Sequence, residues 1–117
     1  MPKYKLVVLS RPVAGREAEY NDWYTNQHLD DVVAIPGFAA AQRLKLHQNV
    51  SGEYANPSLA LYEMDAEDPE SALKALTGVV ESGGMFITPS LDLATIQCAV
   101  FEVCAQEVTA PKEKAPA

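Results

Sequence analysis

The chain has 117 residues, of which 48% are hydrophobic, and it carries a formal net charge of −7. This length fits one domain, and this hydrophobic content is enough to form a core. The acidic balance excludes a nucleic-acid backbone or an anionic membrane surface as the main partner. The first ten residues, MPKYKLVVLS, lack the long apolar segment of a secretory signal, and no stretch is long enough to span a bilayer. We therefore expect a cytoplasmic protein.

The first predicted elements are a strand and a long helix. Tyr4–Ser10 is short and apolar, which is typical of a strand. A helical pattern follows Gly15, but no Ser, Thr or Asp marks an N-cap, so the start of the helix is defined only to within a turn. Pro36 disfavours helical geometry at Ile35, and Gly37 can adopt the positive φ of a turn. The helix should therefore end at Ile35 and lead into a second strand.

Two further strands are predicted on either side of a turn-rich connection. Phe38–His47 alternates between two faces, and its three alanines at positions 39–41 leave volume that a close helix, a partner chain or a ligand must fill. Asn49–Pro57 is rich in turn residues, and Ser58–Asp65 forms the third strand. The predicted face that begins at Phe38 consists of Phe38, Ala40, Gln42, Leu44 and Leu46.

A second helix and a last strand follow. Asp68 as N-cap and Pro69 at the first helical position predict the start of this helix, which should end at Gly83. Met85–Ile87 is an apolar cluster in a segment bounded by glycine and proline, so we expect it to cover a pocket as a lid or to contact a partner. Leu93–Val103 is predicted as the last and longest strand. The apolar residues at core spacing in the second helix are Ala72, Leu73, Leu76, Val79 and Val80.

The resulting order, β-α-β-β-α-β, predicts an α+β fold of the ferredoxin-like type. In this fold a four-stranded antiparallel sheet carries two helices on one face. We assign this single domain to residues 1–108 and predict that the tail, residues 109–117, is disordered because it is rich in proline and lysine. Apolar residues on the uncovered sheet face must meet water or a second subunit, so we expect a homodimer.

One face of the first helix carries the candidate catalytic residues. At about 100° per residue, His28 shares this face with Tyr24 and Asp31, and Trp23 lies at its edge. His28 can transfer protons near neutral pH, and Asp31 is within reach to raise its proton affinity. Tyr24 can donate a hydrogen bond to a developing oxyanion. The alternatives are a buried histidine bonded to the backbone and a tyrosine that only packs.

Four residues are candidates for substrate binding. Arg43 lies in the middle of a strand, where its guanidinium needs a partner such as Asp31, Glu63 or a substrate carboxylate, a structural salt bridge being the alternative. Cys98 and Cys104 are six residues apart in one predicted strand, too far to bridge, and are expected in the core. The candidate substrate-binding residues are Trp23, Arg43, Tyr62 and Phe86.

No metal and no cofactor are expected. His28, Asp31 and His47 do not form a standard ligand spacing, and the cysteines lack a C-x-x-C arrangement. The chain contains no G-x-G-x-x-G motif, P-loop or nucleophile elbow. The sequence therefore favours cofactor-independent chemistry.

Residues 23–38 resemble the dimeric α+β barrel superfamily, most closely its EthD-like proteins. The shared features are W-Y-x-x-x-H at 23–28, the acidic Asp31 and the turn Ile35-Pro36-Gly37-Phe38, with Arg43 as a weaker match. The resemblance implies a homodimer whose sheets face each other and a ligand cleft between sheet and helices in each subunit. Related small proteins include cofactor-free cyclases, lactone isomerases, lyases and monooxygenases. The chain has only two histidines, so mechanisms that need a histidine cluster do not carry over.

Two classes of function remain open. In the first, the protein is a cofactor-independent lyase, isomerase or cyclase that acts on a small apolar, aromatic or polyketide-like carbonyl or phenol, with His28 as general acid–base. In the second, it is a non-catalytic ligand-binding or accessory protein of a catabolic pathway, and His28 anchors the ligand by a hydrogen bond. A cofactor-free monooxygenase is the third alternative.

Overall fold

The computed structural model describes residues 3–112, which form one antiparallel sheet covered on one face by helices. The predicted α+β, ferredoxin-like fold is thereby confirmed. The strands are β1 (Tyr4–Ser10), β2 (Phe38–Lys45), β3 (Ser58–Met64) and β4 (Gln97–Glu102), in the sheet order β2-β3-β1-β4. The helices are α1 (Glu17–Trp23), a π-helical turn (Tyr24–His28), α2 (Leu29–Val33) and α3 (Pro69–Glu81), with a short 3₁₀ turn at Leu93–Thr95. We call the continuous run from α1 through α2 the first helix.

Alternation along the two central strands separates a buried sheet face from an open one. In β1, Leu6 and Val8 are buried against the helices, whereas Val7 between them is only half-buried on the other side. Strand β3 repeats the pattern, because Ala60 and Tyr62 are almost fully buried. The core therefore lies between the sheet and the helices. Its members are Leu6, Val8, Tyr20, Trp23, Tyr24, Val32, Ile35, Phe38, Ala60, Tyr62, Met64, Ala72, Met85 and Leu91.

A bulge in β2 makes the predicted division of its two faces wrong at Phe38. Phe38 pairs with Met64, but the next paired residue, Ala40, is opposite Glu63, so Ala39 is an extra residue. One extra residue moves every following side chain to the other face. Phe38 therefore shares the buried face with Arg43 and not with Ala40.

The turn after the first helix brings α3 close to it. Gly37 has a φ of +99°, which favours glycine, as the sequence predicted. A Cβ atom at Gly37 would lie 2.7 Å from the Cβ of Ala72 in α3, so the turn also needs the missing side chain for space. The predicted start of α3 is confirmed, because the side chain of Asp68 accepts a hydrogen bond from the Glu70 N–H.

The end of the chain differs from prediction. Residues 93–95 form a 3₁₀ turn capped by Asp92, so the last strand is shorter than the predicted Leu93–Val103. Cys98 in the edge strand β4 and Cys104 beyond its end are exposed and not in the core, contrary to prediction. Of the predicted disordered tail, residues 109–112 are exposed and outside any helix or strand, and the rest falls outside the described residues. None of the helices within residues 3–112 combines the length and apolar composition needed to cross a membrane.

Candidate functional site

A cavity of about 390 Å³ lies between the buried face of the sheet, the first helix and α3. Its lining is almost wholly apolar, and its few polar side chains come from the first helix and from the strands. Four of the predicted site residues line it: Trp23, Tyr24 and His28 from the first helix and Tyr62 from β3. The lining residues are Leu6, Val8, Trp23, Tyr24, His28, Val32, Tyr62, Leu76, Val80, Ile87, Leu91, Leu93, Ile96 and Cys98.

The π-helical turn places Trp23 and His28 side by side. In a regular α-helix, residues five apart point about 140° away from each other. Here the Leu29 N–H bonds to the carbonyl of Tyr24, five residues earlier, which brings such pairs onto one side. The rings of Trp23 and His28 consequently stack, with centroids 4.4 Å apart and planes inclined by 22°. The sequence pattern, interpreted with α-helical spacing, put Trp23 only at the edge of this face.

The two nitrogens of His28 have different surroundings. Its Nδ1 atom is shut off from solvent and has no hydrogen-bond partner among the described residues. Nε2 is not enclosed in this way, so it is the nitrogen that a ligand in the cavity can reach. Burial lowers the pKa of His28 to about 4, because an apolar environment disfavours the imidazolium. The imidazole is therefore neutral at physiological pH.

The expected pairing of His28 with Asp31 is not formed. Within residues 3–112, no hydrogen bond or ion pair joins the two side chains, and burial is the cause of the lowered His28 pKa. Asp31 is half-buried on the first helix and does not line the cavity. The three-residue spacing allowed a contact but did not ensure one, since the π-helical turn changes the direction of the His28 side chain.

Two tyrosines lie beside His28 in the cavity wall. The ring of Tyr24 meets the imidazole edge-on, with centroids 5.2 Å apart. Burial raises the pKa of Tyr24 to about 12, and burial followed by the neighbouring Tyr24 raises the pKa of Tyr62 still further. The Tyr62 hydroxyl is enclosed and makes no hydrogen bond within the described residues. Both phenols therefore stay protonated, and the site combines neutral polar groups with apolar walls.

Arg43 lies outside the cavity, behind the tyrosines. Its guanidinium carbon is 4.7 Å from the centroid of the Tyr24 ring and 5.5 Å from that of Tyr20. It donates hydrogen bonds to Thr25 Oγ1 at 2.9 Å, Asn21 Oδ1 at 3.0 Å and Ser58 Oγ at 3.1 Å. The predicted partners Asp31 and Glu63 are not among these contacts. Arg43 thus fastens the first helix to the sheet, and the arrangement gives no support to substrate binding by this residue.

The segment Met85–Ile87 contributes one residue, Ile87, to the cavity wall. Met85 is buried and Ile87 lines the cavity, but the Phe86 side chain is 55% exposed and does not line it. The Phe86 carbonyl accepts a hydrogen bond of 3.0 Å from Trp23 Nε1, which ties the segment to the first helix. Of the predicted substrate-binding residues, Trp23 and Tyr62 line the cavity, while Arg43 and Phe86 do not.

Sequence reasoning missed the contributions of α3 and β4 to the cavity. Leu76 and Val80 were placed in the core by their spacing, which cannot distinguish a side chain that packs on protein from one that borders a cavity. Cys98 lines the cavity from the edge strand, and its partial burial there raises the pKa of its thiol. Over residues 3–112, no group of three or more His, Cys, Asp or Glu side chains is arranged to hold a metal ion.

Comparisons by sequence give one partial likeness. No known family model matches the chain. Core atranone cluster protein 1 of Stachybotrys chlorohalonatus is 46% identical to it over 48 residues. That match covers 41% of this chain and 19% of the fungal protein, so the chain spans about a fifth of the length of the curated relative it matches.

Comparisons of structure show the fold. A candidate monooxygenase from Shewanella loihica PV-4 gives a TM-score of 0.57 at 18% identity, covering 91% of this chain and 99% of that one. An ethyl tert-butyl ether degradation (EthD) family protein from Bacillus halodurans gives 0.56 at 17% identity, with the same coverage. The heme-degrading protein MhuD of Mycobacterium tuberculosis gives 0.59 at 18% identity, covering 90% and 99%. The resemblance predicted from residues 23–38 is thereby confirmed at the level of the fold, that of the dimeric α+β barrel proteins.

Proposed function

We propose that the protein is a small acid–base enzyme that acts on an apolar carbonyl or phenol held in this cavity, with His28 as the proton-transferring residue. The observation that carries the proposal is the His28 imidazole itself. It is neutral, stacked on Trp23, and has one enclosed nitrogen and one open nitrogen at an apolar cavity. Histidine in such a site can act as general acid or base, and the orientation of its ring is already fixed by packing.

His28 can move a proton between two atoms of one ligand. When Nε2 carries the proton, it donates to a ligand carbonyl oxygen and makes the neighbouring C–H more acidic. When Nε2 is free, it accepts the proton of that carbon or of a phenol, and the resulting imidazolium returns the proton to another atom of the ligand. His28 carries both proton transfers in this scheme, since the described lining contains no Asp or Glu to act as a second base. This chemistry favours an isomerase or a cyclase over a hydrolase.

The low pKa of His28 sets the pH range of such a reaction. His28 of the free enzyme should be half-protonated near pH 4 and not near pH 6.5. The value of kcat/KM should therefore stay level down to about pH 5. A neutral histidine that donates a hydrogen bond to a carbonyl oxygen has a precedent in enzymes that lower the pKa of this side chain.

Heme, which the M. tuberculosis neighbour binds, does not fit the described lining well. His28 could supply an imidazole to iron, but no Lys or Arg side chain lines the cavity to meet the two propionates of a heme. We therefore derive no step through heme for this chain.

Non-catalytic ligand binding is the second candidate function, and one observation favours it. Catalytic histidines are commonly oriented by a carboxylate or carbonyl on the second nitrogen, whereas Nδ1 of His28 bonds to nothing in the described residues. In this case His28 would anchor a ligand for another enzyme without turning it over.

Hydrogen exchange into the substrate tests the proposal without knowledge of the product. The protein is incubated in D₂O with a panel of aryl ketones, cyclic enones and phenols, and deuterium incorporation is followed by NMR. We expect exchange with the wild-type protein and a loss of about a hundredfold or more in His28→Asn, the usual scale for one general acid–base group. His47→Asn is the matched control, because His47 is exposed and does not line the cavity.

Two outcomes would oppose the catalytic role. Unchanged exchange in His28→Asn, with the fold intact by circular dichroism, would remove His28 from the chemistry. Binding of panel members by the wild-type protein without exchange or turnover of any of them would support the accessory-protein function instead.

A further inference from the structure

The cavity lining carries no formal charge, which restricts the ligands it can accept. None of its lining residues is an Asp, Glu, Lys or Arg, and its titratable side chains are a neutral histidine, two protonated tyrosines and a cysteine. An ionised group that entered this cavity would lose water without gaining a counter-ion, at a large cost in free energy. The net charge of −7 adds a long-range repulsion of anions.

The polar contact available to a ligand is a single nitrogen. The Tyr62 hydroxyl and His28 Nδ1 are both enclosed, so neither can be reached without a movement of the wall. An enclosed N–H without an acceptor is rarer in proteins than an enclosed acceptor without a donor. In the ligand-free protein the proton of the neutral imidazole is therefore favoured on Nε2, which points its N–H to an acceptor of the ligand. The base form in the proposed reaction is the other tautomer, with the proton on Nδ1.

The size of the cavity limits the ligand as well. Its volume of about 390 Å³ lies toward the small end of ligand pockets, which span roughly 300–1,000 Å³. The indole face of Trp23 is already occupied by the His28 ring, so it is not free to hold a cationic ligand.

We propose that the cavity selects uncharged, one- or two-ring ligands that present an acceptor oxygen to His28 Nε2, and that it rejects the carboxylate forms of the same ligands. This proposal names the substrate class of the proposed function. It rests on the proposed function only in taking the same cavity as the binding site. The selection is a property of binding, so it can hold even if His28 performs no catalysis.

A matched pair of ligands tests the selection. 2-Naphthamide and 2-naphthoate have the same shape, but only the second is charged at pH 7. We expect calorimetry to show at least about tenfold tighter binding of the amide, a difference of about 1.4 kcal/mol. Equal or tighter binding of 2-naphthoate would overturn the proposal.

The two cysteines report where the ligand binds. Cys98 lines the cavity and is exposed, whereas Cys104 is exposed outside it. We expect 2-naphthamide to slow alkylation of Cys98 by N-ethylmaleimide and to leave Cys104 unaffected, as measured by mass spectrometry of peptides. Equal protection of both cysteines, or of neither, would contradict binding in this cavity.

A charge introduced into the wall should reverse the preference. Val80 lines the cavity from α3 and is already 38% exposed, so Val80→Lys can be made with little cost in stability. We expect Val80→Lys to bind 2-naphthoate at least about tenfold more tightly than the wild-type protein does. Val100→Lys is the control, because Val100 is similarly exposed, at 36%, but does not line the cavity. The same gain in both variants would show a general charge effect and would refute the selection by the cavity.

These results are separate from those of the hydrogen-exchange experiment. Loss of the catalytic role leaves amide selection and Cys98 protection intact, since both depend on the lining alone. If the amide were not preferred but hydrogen exchange still depended on His28, the proposed function would stand. Only the proposed ligand class would then be wrong.

Discussion

The imidazole of His28 is held by packing and not by a hydrogen bond. Trp23 stacks on one side of the ring and Tyr24 meets it edge-on, while Nδ1 has no partner within the described residues. Trp23 is in turn fixed by its bond to the Phe86 carbonyl. The orientation of the reactive nitrogen thus depends on the rings of Trp23 and Tyr24, and the fixed Trp23 is a positioning residue for His28.

The depressed pKa of His28 should make stability depend on pH in a defined range. Above pH 6.5 the side chain is neutral in both the folded and the unfolded chain. As the pH falls from 6.5 toward 4, the unfolded chain takes up a proton that the folded protein does not, so the free energy of unfolding decreases. The shift from 6.5 to about 4 corresponds to a total loss of about 3 kcal/mol, which is complete below pH 4.

Chemical unfolding of the wild type and of His28→Gln between pH 7 and pH 4 measures this contribution. We expect the variant to lose less stability over the range, because it lacks the titrating group. His47→Gln, at an exposed position, should follow the wild-type curve. Parallel curves for the wild type and His28→Gln would show that His28 is accessible to protons in the folded state.

At the scale of elements, the turn at Gly37 joins the first helix, β2 and α3. A side chain at this position meets two separate penalties, the positive φ of +99° and the 2.7 Å approach to the Ala72 Cβ. The first costs about 1–2 kcal/mol and the second about 1–3 kcal/mol. We expect Gly37→Ala to lower the free energy of unfolding by about 2–5 kcal/mol, as measured by urea denaturation.

Gly15→Ala separates the two penalties. Gly15 has a similar φ of +85°, but an added Cβ meets nothing within 4 Å. Its substitution should therefore cost only the conformational part, about 1–2 kcal/mol. Equal losses for Gly15→Ala and Gly37→Ala would show that α3 moves aside and that the contact with Ala72 is not limiting.

The sequence predicts the elements better than the irregularities within them. Pro36-Gly37 and Asp68-Pro69 mark ends of helices by local chemistry, so the start of α3 was predicted correctly and the end of the first helix, at Val33 and not Ile35, to within two residues. The bulge at Ala39 and the π-helical turn at Tyr24–His28 leave no local mark, because each adds one residue to a regular pattern. The π-helical turn redirects the side chains on which the site depends, and this is why Trp23 was placed only at the edge and Asp31 was expected to contact His28.

The same distinction applies to the site. Four of its residues, Trp23, Tyr24, His28 and Tyr62, were selected from the sequence and lie together in the cavity wall. Arg43 was selected because a charge in a strand needs a partner. Residue type alone does not identify that partner. Its partners are Thr25, Asn21 and Ser58.

At the scale of the whole molecule, the sheet face opposite the helices carries many apolar side chains and is uncovered in the single chain. Among the described residues, its only ion pair joins Lys5 and Glu63 at 3.8 Å. This pair is exposed to solvent and contributes little to the stability of the fold. The apolar side chains of this face are Val7, Leu9, Leu44, Leu59, Leu61, Ala99 and Phe101. A second copy of the chain would bury them, and we therefore propose the homodimer that the sequence predicts.

A charge on the open face should separate the subunits. Phe101 lies opposite Lys5 on this face and is 59% exposed, so Phe101→Glu should leave the single chain folded while it places a carboxylate in the interface. We expect light scattering to give twice the 12.7 kDa chain mass for the wild type and the chain mass itself for the variant at micromolar concentration. Phe86→Glu is a closely matched control, because Phe86 is 55% exposed but lies outside the sheet. It should remain dimeric. A wild-type protein that is monomeric at this concentration, or a dimer that survives Phe101→Glu, would show that this face is not the interface.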